Sequence, residues 1–230
     1  MSLFAIADLH LSLSGEKPMD VFSGWENYTQ RIQENWNKLV SDDDTVVIAG
    51  DISWSMKLED CYADFDYIHK LKGKKLLLKG NHDYWWATKK KMDDYLFENG
   101  FDDIQIIHNN AKIVGDVAVC GTRGWMYNSE TENDIKIMNR EVGRLKASIE
   151  EAISLEKKPI VFLHYPPAYD NFVSQILLDV LHEYNIKNCY YGHIHGKLAS
   201  KKIITGDFQG INMSLIACDY LKFTPLFVEK

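Results

Sequence analysis

Apolar residues fall along this chain in short runs, each ending at once in a polar side chain. The runs are "LFAIA" (3–7), "TVVIA" (45–49), "KLLLK" (75–79), "KIVGDVAVC" (112–120), "IVFL" (160–163), "NCYYG" (188–192) and "INMSLIA" (211–217). They are too short for helices, are rich in β-branched residues and are bounded by turn formers, which predicts strands buried on both faces. Segments near 26–40, 57–71, 85–98, 134–156 and 171–184 carry a helical period instead. The clearest is 134–156, where Ile135, Met138, Val142, Leu145, Ile149 and Ile153 are spaced for one apolar stripe. Alternation of strands with helices predicts an α/β layered architecture. Beyond residue 200 strand-like runs succeed one another without a helix, which predicts an antiparallel or mixed sheet there. Gly115-Asp116 tolerate the dihedrals of a hairpin turn inside "IVGDVAV". No repeat, low-complexity tract or linker interrupts the pattern, so residues 1–230 are expected to form one domain.

The polar residues behind the runs carry the chemistry. "LFAIA" delivers Asp8 and His10, "TVVIAG" delivers Asp51, and "KLLLKG" delivers Asn81, His82 and Asp83. "IVFL" runs into His164, and "NCYYG" into His193 and His195. The carboxyl edge of an α/β sheet is where binding sites are built. Asp8, His10, Asp51, Asn81, His164, His193 and His195 offer only oxygen and nitrogen donors, which suit divalent first-row metals such as Mn, Fe or Zn. Asp8 and His10 are two apart, so in an extended chain they point to the same side. Seven donors are too many for one closed tetrahedral site. With one carboxylate bridging, they supply four bonds to each of two ions. Two ions about 3.5–4 Å apart form a clamp for in-line displacement at phosphorus.

Composition changes this picture little. A formal net charge of −7 gives no basic footprint for nucleic acid or an anionic membrane. The N-terminus lacks a signal-peptide n-region, and no run is long enough to span a bilayer. Cys61, Cys120, Cys189 and Cys218 are far apart with no CxxC pair, and Cys120, Cys189 and Cys218 sit in apolar, strand-like surroundings, which reads as buried free thiols in a reducing, cytoplasmic compartment.

In order, D-x-H, G-D, G-N-H-D, H and G-H-x-H span Asp8 to His195, each behind a predicted strand. This set resembles the calcineurin-like metallophosphoesterase superfamily. The resemblance implies a four-layer α/β/β/α sandwich of two mixed sheets flanked by helices. It also implies a phosphoester hydrolase in which metal-bound hydroxide attacks phosphorus. Asp8, His10 and His195 would hold one divalent ion, Asn81, His164 and His193 the other, and Asp51 would bridge them. His82 would contact the phosphate and protonate the leaving oxygen, with Asp83 orienting its imidazole. The substrate would be a small phosphorylated or nucleotide-like molecule, as a monoester, a diester or a pyrophosphate. A non-catalytic metal-bound scaffold and a nuclease are the alternatives. The intact His82-Asp83 pair argues against the first, and the net charge against the second.

The chain departs from particular subfamilies. Trp54 stands where purple acid phosphatases place a tyrosine ligand, and Trp54-Ser55 replaces the Asp-Arg pair of the protein Ser/Thr phosphatases. Trp54, Tyr84, Trp85, Trp86, Trp125 and Tyr165 lie near motif positions, where they either line a substrate rim or pack beneath the site. Arg123, in "CGTRGW", either contacts phosphate or sits in a salt bridge. The long loops 11–25 and 121–133 are expected to border the site. His69, His108 and His182 read as surface residues, and Asp42-Asp43-Asp44 as a turn before the second strand.

Overall fold

The computed structural model describes residues 1–15, 17–126 and 131–230. Thirteen strands, numbered in chain order, make two large sheets and one small ribbon among these residues. In the first sheet β1 (Leu3–Ile6), β2 (Thr45–Ala49), β3 (Lys74–Leu78) and β4 (Ile104–Ile106) run parallel. The second contains β5 (Lys112–Val114), β6 (Val117–Thr122), β7 (Lys158–Leu163), β10 (Asn188–Tyr191), β11 (Gly206–Phe208) and β12 (Ile211–Leu215). Its four central strands are parallel and its edges, β5 and β11, antiparallel. β8 (Ala168–Tyr169) and β9 (Phe172–Val173) form the ribbon. β13 (Leu226–Glu229) returns to the first sheet and pairs antiparallel with β1. The last strands therefore give a mixed arrangement, as the helix-free tail predicts, and Val114 pairs Val117 across the Gly115-Asp116 turn.

Side-chain alternation explains the layering. Leu3, Ala5 and Ala7 join Val47, Ala49, Leu76 and Leu78 in a cluster with Val119, Ile160, Phe162 and Tyr190 of the other sheet. That cluster is the core between the sheets. The intervening residues, Phe4, Ile6, Val46, Ile48 and Leu77, turn the other way. They pack against α1 (Tyr28–Leu39), α2 (Tyr62–Lys70) and α3 (Lys89–Glu98). On the far side, Cys120, Val161, Leu163 and Cys189 meet α4 (Glu132–Ser154) and α5 (Gln175–Glu183). The result is an α/β/β/α sandwich. All four cysteines are buried free thiols, and among the described residues no helix is long and apolar enough to cross a membrane.

Several elements differ from the pattern-based expectation. α3 starts at Lys89, not near 85, because Thr88 caps it through its hydroxyl and Trp86 N–H closes a turn onto the Asp83 carbonyl. The 57–71 segment opens with a tight 3₁₀ turn at Leu58–Cys61 before α2. Residues 168–173 form the β8–β9 ribbon, so α5 starts later than expected. α4 is rotated from the stripe read in sequence: Ile135 and Ile153 are exposed, while Glu141 and Ser148 are buried. Both polar residues are satisfied there. Ser148 Oγ donates to the Asn110 carbonyl and accepts from Gly121 N–H, and Glu141 accepts from Thr122 Oγ1.

Candidate active site

The carboxyl ends of β1, β2, β3, β7 and β10 bring the predicted side chains together. One oxygen or nitrogen each from Asp8, His10 and Asp51 lies within 4.8 Å of the others, and so does one each from Asp51, His164 and His193. The two groups share Asp51. His195 is exposed and sets its ring 5.2 Å from that of His10, while Asn81 Oδ1 is 2.7 Å from His164 Nε2.

Backbone strain marks the site. Asp8 (φ 59°), His10 (φ 47°), Asp51 (φ 51°) and His193 (φ 70°) all occupy the left-handed region, which costs a non-glycine residue of order 1 kcal/mol or more. The expectation that Asp8 and His10 align along an extended chain is therefore corrected. β1 ends at Ile6, and two left-handed residues turn both side chains into the centre. The glycines of the motifs allow the strand ends to close in. A Cβ on Gly80 would fall 2.1 Å from the Asp51 amide nitrogen, and one on Gly192 would fall 2.8 Å from Asp8 Oδ2.

Electrostatics shows what the cluster lacks. Among the described residues His10 Nε2 and Asp51 Oδ2 are buried without a hydrogen-bond partner, although only 3.8 Å apart. His164 Nδ1 donates to the Ala49 carbonyl, which aims Nε2 at Asn81 Oδ1 and, at 3.5 Å, at Asp51 Oδ1. This backbone anchoring is typical of metal-ligating imidazoles. Burial lowers the pKa of His10 to about 3, and burial with His164 does the same to His193. Both rings thus keep a neutral lone pair. Burial raises Asp8 well above the usual carboxylate value. Burial also acts to raise Asp51, but His164, His10 and the His82 amide together outweigh it and the net shift is downward. For His164 burial acts downward, and Asp51, Asp8 and the Ala49 carbonyl together override it to about 9. Buried carboxylates, unpartnered donor atoms and neutral imidazoles together fit divalent cations, which would supply the missing positive charge.

Asp83 requires a correction. Its carboxylate is fully buried and accepts from the amides of Asp51 (2.9 Å), Ile52 (2.8 Å), Ser53 (3.3 Å) and Gly80 (2.7 Å), and from the Trp85 indole (3.1 Å). It does not orient the His82 ring, whose Nδ1 is buried without a partner among the described residues. Asp83 instead ties the second motif's backbone to the third's. Burial, then Asp51, raises its pKa to about 6. His82 is held by its backbone, whose N–H donates to Asp51 Oδ1 at 2.8 Å, and burial lowers its pKa below the ordinary value.

The aromatics divide. Trp85 is core, packed edge-on to Phe65. Trp54 stacks on His10 at 4.8 Å and lies 4.6 Å from His82. Tyr84 is exposed, 6.1 Å from His82. Tyr165 packs on His193 at 4.3 Å and edge-on to Trp125 at 5.8 Å. Arg123 lies over Trp125, with a guanidinium nitrogen 3.7 Å from Glu141, so the salt bridge exists and leaves Nε buried without an acceptor among the described residues. Trp25 was not legible as a site residue, yet it is buried against His10 at 6.1 Å and His195 at 6.3 Å. Its place at the end of the loop after the first motif was the available signal. That loop is pinned by Leu13 N–H donating to Asp64, and residues 127–130 of the other long loop lie outside the described residues. Of the three remaining histidines, His69 pairs with Asp103 and His182 with the Gln209 carbonyl. His108 is half-buried, facing the Trp86 indole, which corrects its reading as a surface residue.

The family model described as calcineurin-like phosphoesterase matches residues 1–197. The chain belongs to this family. It is a metal-dependent phosphoesterase, and a small phosphorylated substrate is implied by that membership. No curated protein matches it significantly. Among solved structures it is similar to phosphopantetheinyl hydrolase of Mycobacterium tuberculosis, at 15% identity and a TM-score of 0.55, covering 99% of this chain and 95% of that one. A protein of unknown function from Aquifex aeolicus gives 15% identity and a TM-score of 0.53, covering 98% and 95%. A third, from Thermus thermophilus, gives 12% and 0.56, covering 85% and 82%. At these identities the likeness is one of fold.

Proposed function

We propose that this phosphoesterase works with two divalent ions on a small phosphorylated or nucleotide-like ester. The observation that supports it is the pair of donor groups sharing Asp51, with Asp51 Oδ2 and His10 Nε2 left without partners. Asp8, His10 and His195 would hold one ion, Asn81, His164 and His193 the other, and Asp51 both. The ions would supply Lewis acidity toward the phosphoryl oxygens and a water deprotonated near neutral pH. Oxygen and nitrogen donors suit Mn, Fe or Zn.

The chain's own residues do the rest. Ala49 fixes the His164 tautomer through Nδ1. Asp83 fixes the distance between the Asp51 and Asn81 loops by accepting from both. His82, fastened through its amide to Asp51, gives a ring proton to the leaving oxygen. Buried free thiols support a reducing compartment such as the cytoplasm.

A hydrolysis panel of phosphomonoesters and phosphodiesters with Mn, Fe, Zn and Mg, run beside elemental analysis, tests the reading. The expected result is turnover with about two ions per chain. Saturation at one ion removes the shared-Asp51 arrangement. Two ions without turnover of any ester favours the scaffold.

A further inference from the structure

A cavity of about 410 Å³ opens beside the metal-ligand cluster, at the carboxyl ends of β3, β4 and β6. Its volume falls within the range of small-molecule sites. Two of its walls are continuous with the site. Lys79 lines it and lies two residues before Asn81. Arg123 lines it too, while its carbonyl accepts from the amides of His164 and Tyr165.

Charge is one-sided here. Lys79, Arg123, Arg140 and Arg144 all line the cavity, against one carboxylate, Glu141. Glu141 is already committed to Thr122, the Gly124 amide and Arg144. Lys79 and Arg140 have no ion-pair partner among the described residues, and Arg123 Nε is buried without an acceptor. Lys79 and the exposed Arg140 are thus unpaired among the described residues, and Arg123 and Arg144 share the one Glu141 carboxylate, so the hollow is net positive in a chain of net charge −7. Trp86 and Trp125 complete the wall.

We propose that this cavity holds a second anionic group of the substrate, so that the enzyme prefers organic phosphates carrying another phosphate or a carboxylate away from the ester attacked. Arg suits bidentate contact with either anion, and Lys adds a point charge. The inference rests on the phosphoesterase reading of the adjoining cluster.

Matched substrates test it: adenosine 3′,5′-bisphosphate against adenosine 5′-monophosphate, and 3-phosphoglycerate against glycerol 3-phosphate. Lys79→Gln and Arg140→Gln are made in the full chain, with melting curves to confirm folding. The expected result is a kcat/KM ratio of at least about tenfold for the doubly anionic member of one pair, collapsing in both variants. The pair that responds tells phosphate from carboxylate. In parallel, inorganic phosphate is titrated calorimetrically into metal-free protein, where binding is expected and Arg140→Gln should weaken it about tenfold. An active enzyme whose ratios are near one, or are untouched by both substitutions, overturns the subsite alone. No hydrolysis of any ester, with Arg140-dependent phosphate binding intact, instead overturns the phosphoesterase reading and the substrate assignment with it.

Discussion

The Asp83 carboxylate accepts from four backbone amides and an indole, while its sequence neighbour His82 has a buried ring nitrogen with no partner. The two residues should therefore fail differently. Asp83→Asn places an amide NH₂ among N–H donors, and each such hydrogen bond to a charged group is worth about 1.5–3 kcal/mol. Urea denaturation should show a loss of at least that size, with fewer ions bound per chain. His82→Asn should keep its melting temperature and its ions, and lose about two to four powers of ten in turnover. The loss should be greatest for esters with poor leaving groups and small for p-nitrophenolate. An equal loss for both kinds would make His82 a phosphate-positioning residue. At this scale the donor residues were legible because metal chemistry restricts residue type. The partners of Asp83 were not, because three of its five donors come from a segment about thirty residues away.

At the scale of elements, Asp44 shows how a strand entry is fastened. It accepts from the Ser2 amide just before β1 and from the Ser41 amide and hydroxyl just after α1. Burial acts to raise its pKa, but these hydrogen bonds outweigh it and hold the carboxyl below 3.8. A depressed folded pKa stabilises the fold fully above the unfolded value and loses that contribution as pH falls through the folded one. Asp44→Asn should cost about 1.5–3 kcal/mol at pH 7, and urea curves at descending pH should show the gap to the parent narrowing only below 3.8. A gap constant down to that range and beyond it would mean the carboxylate's charge is irrelevant. Elements were legible where burial was continuous, as in β2 and β7. They were missed at β4, β8 and β9, which are only two or three residues long, because so few positions carry no period. The rotation of α4 was hidden because Glu141 and Ser148 are polar residues buried for their hydrogen bonds.

Over the whole molecule, the donor cluster lies across the seam between the sheets. Asp8, His10, Asp51 and Asn81 come after strands of the first, and His164, His193 and His195 after strands of the second. Ions shared between them would staple one sheet to the other. Ligand at about 100 times its dissociation constant adds about 2.7 kcal/mol, worth about 5–10 °C in a domain of this size. Chelation should lower the melting temperature by that amount, and readdition of the ions should restore it. No shift on chelation would mean the donors do not bridge the seam energetically.

The pairing of β13 with β1 also sets an order on biosynthesis. Leu3 finds its partner only once Glu229 has been made, although all seven donors have left the ribosome's active centre by His195. At about 5–20 residues per second, the stretch from His195 to β13 takes roughly 2–6 s. During that interval one edge of β1, the strand that aims Asp8, stays open to any other extended chain. The nascent protein is thus most exposed to mispairing just after its chemistry has been written and just before its first strand is covered.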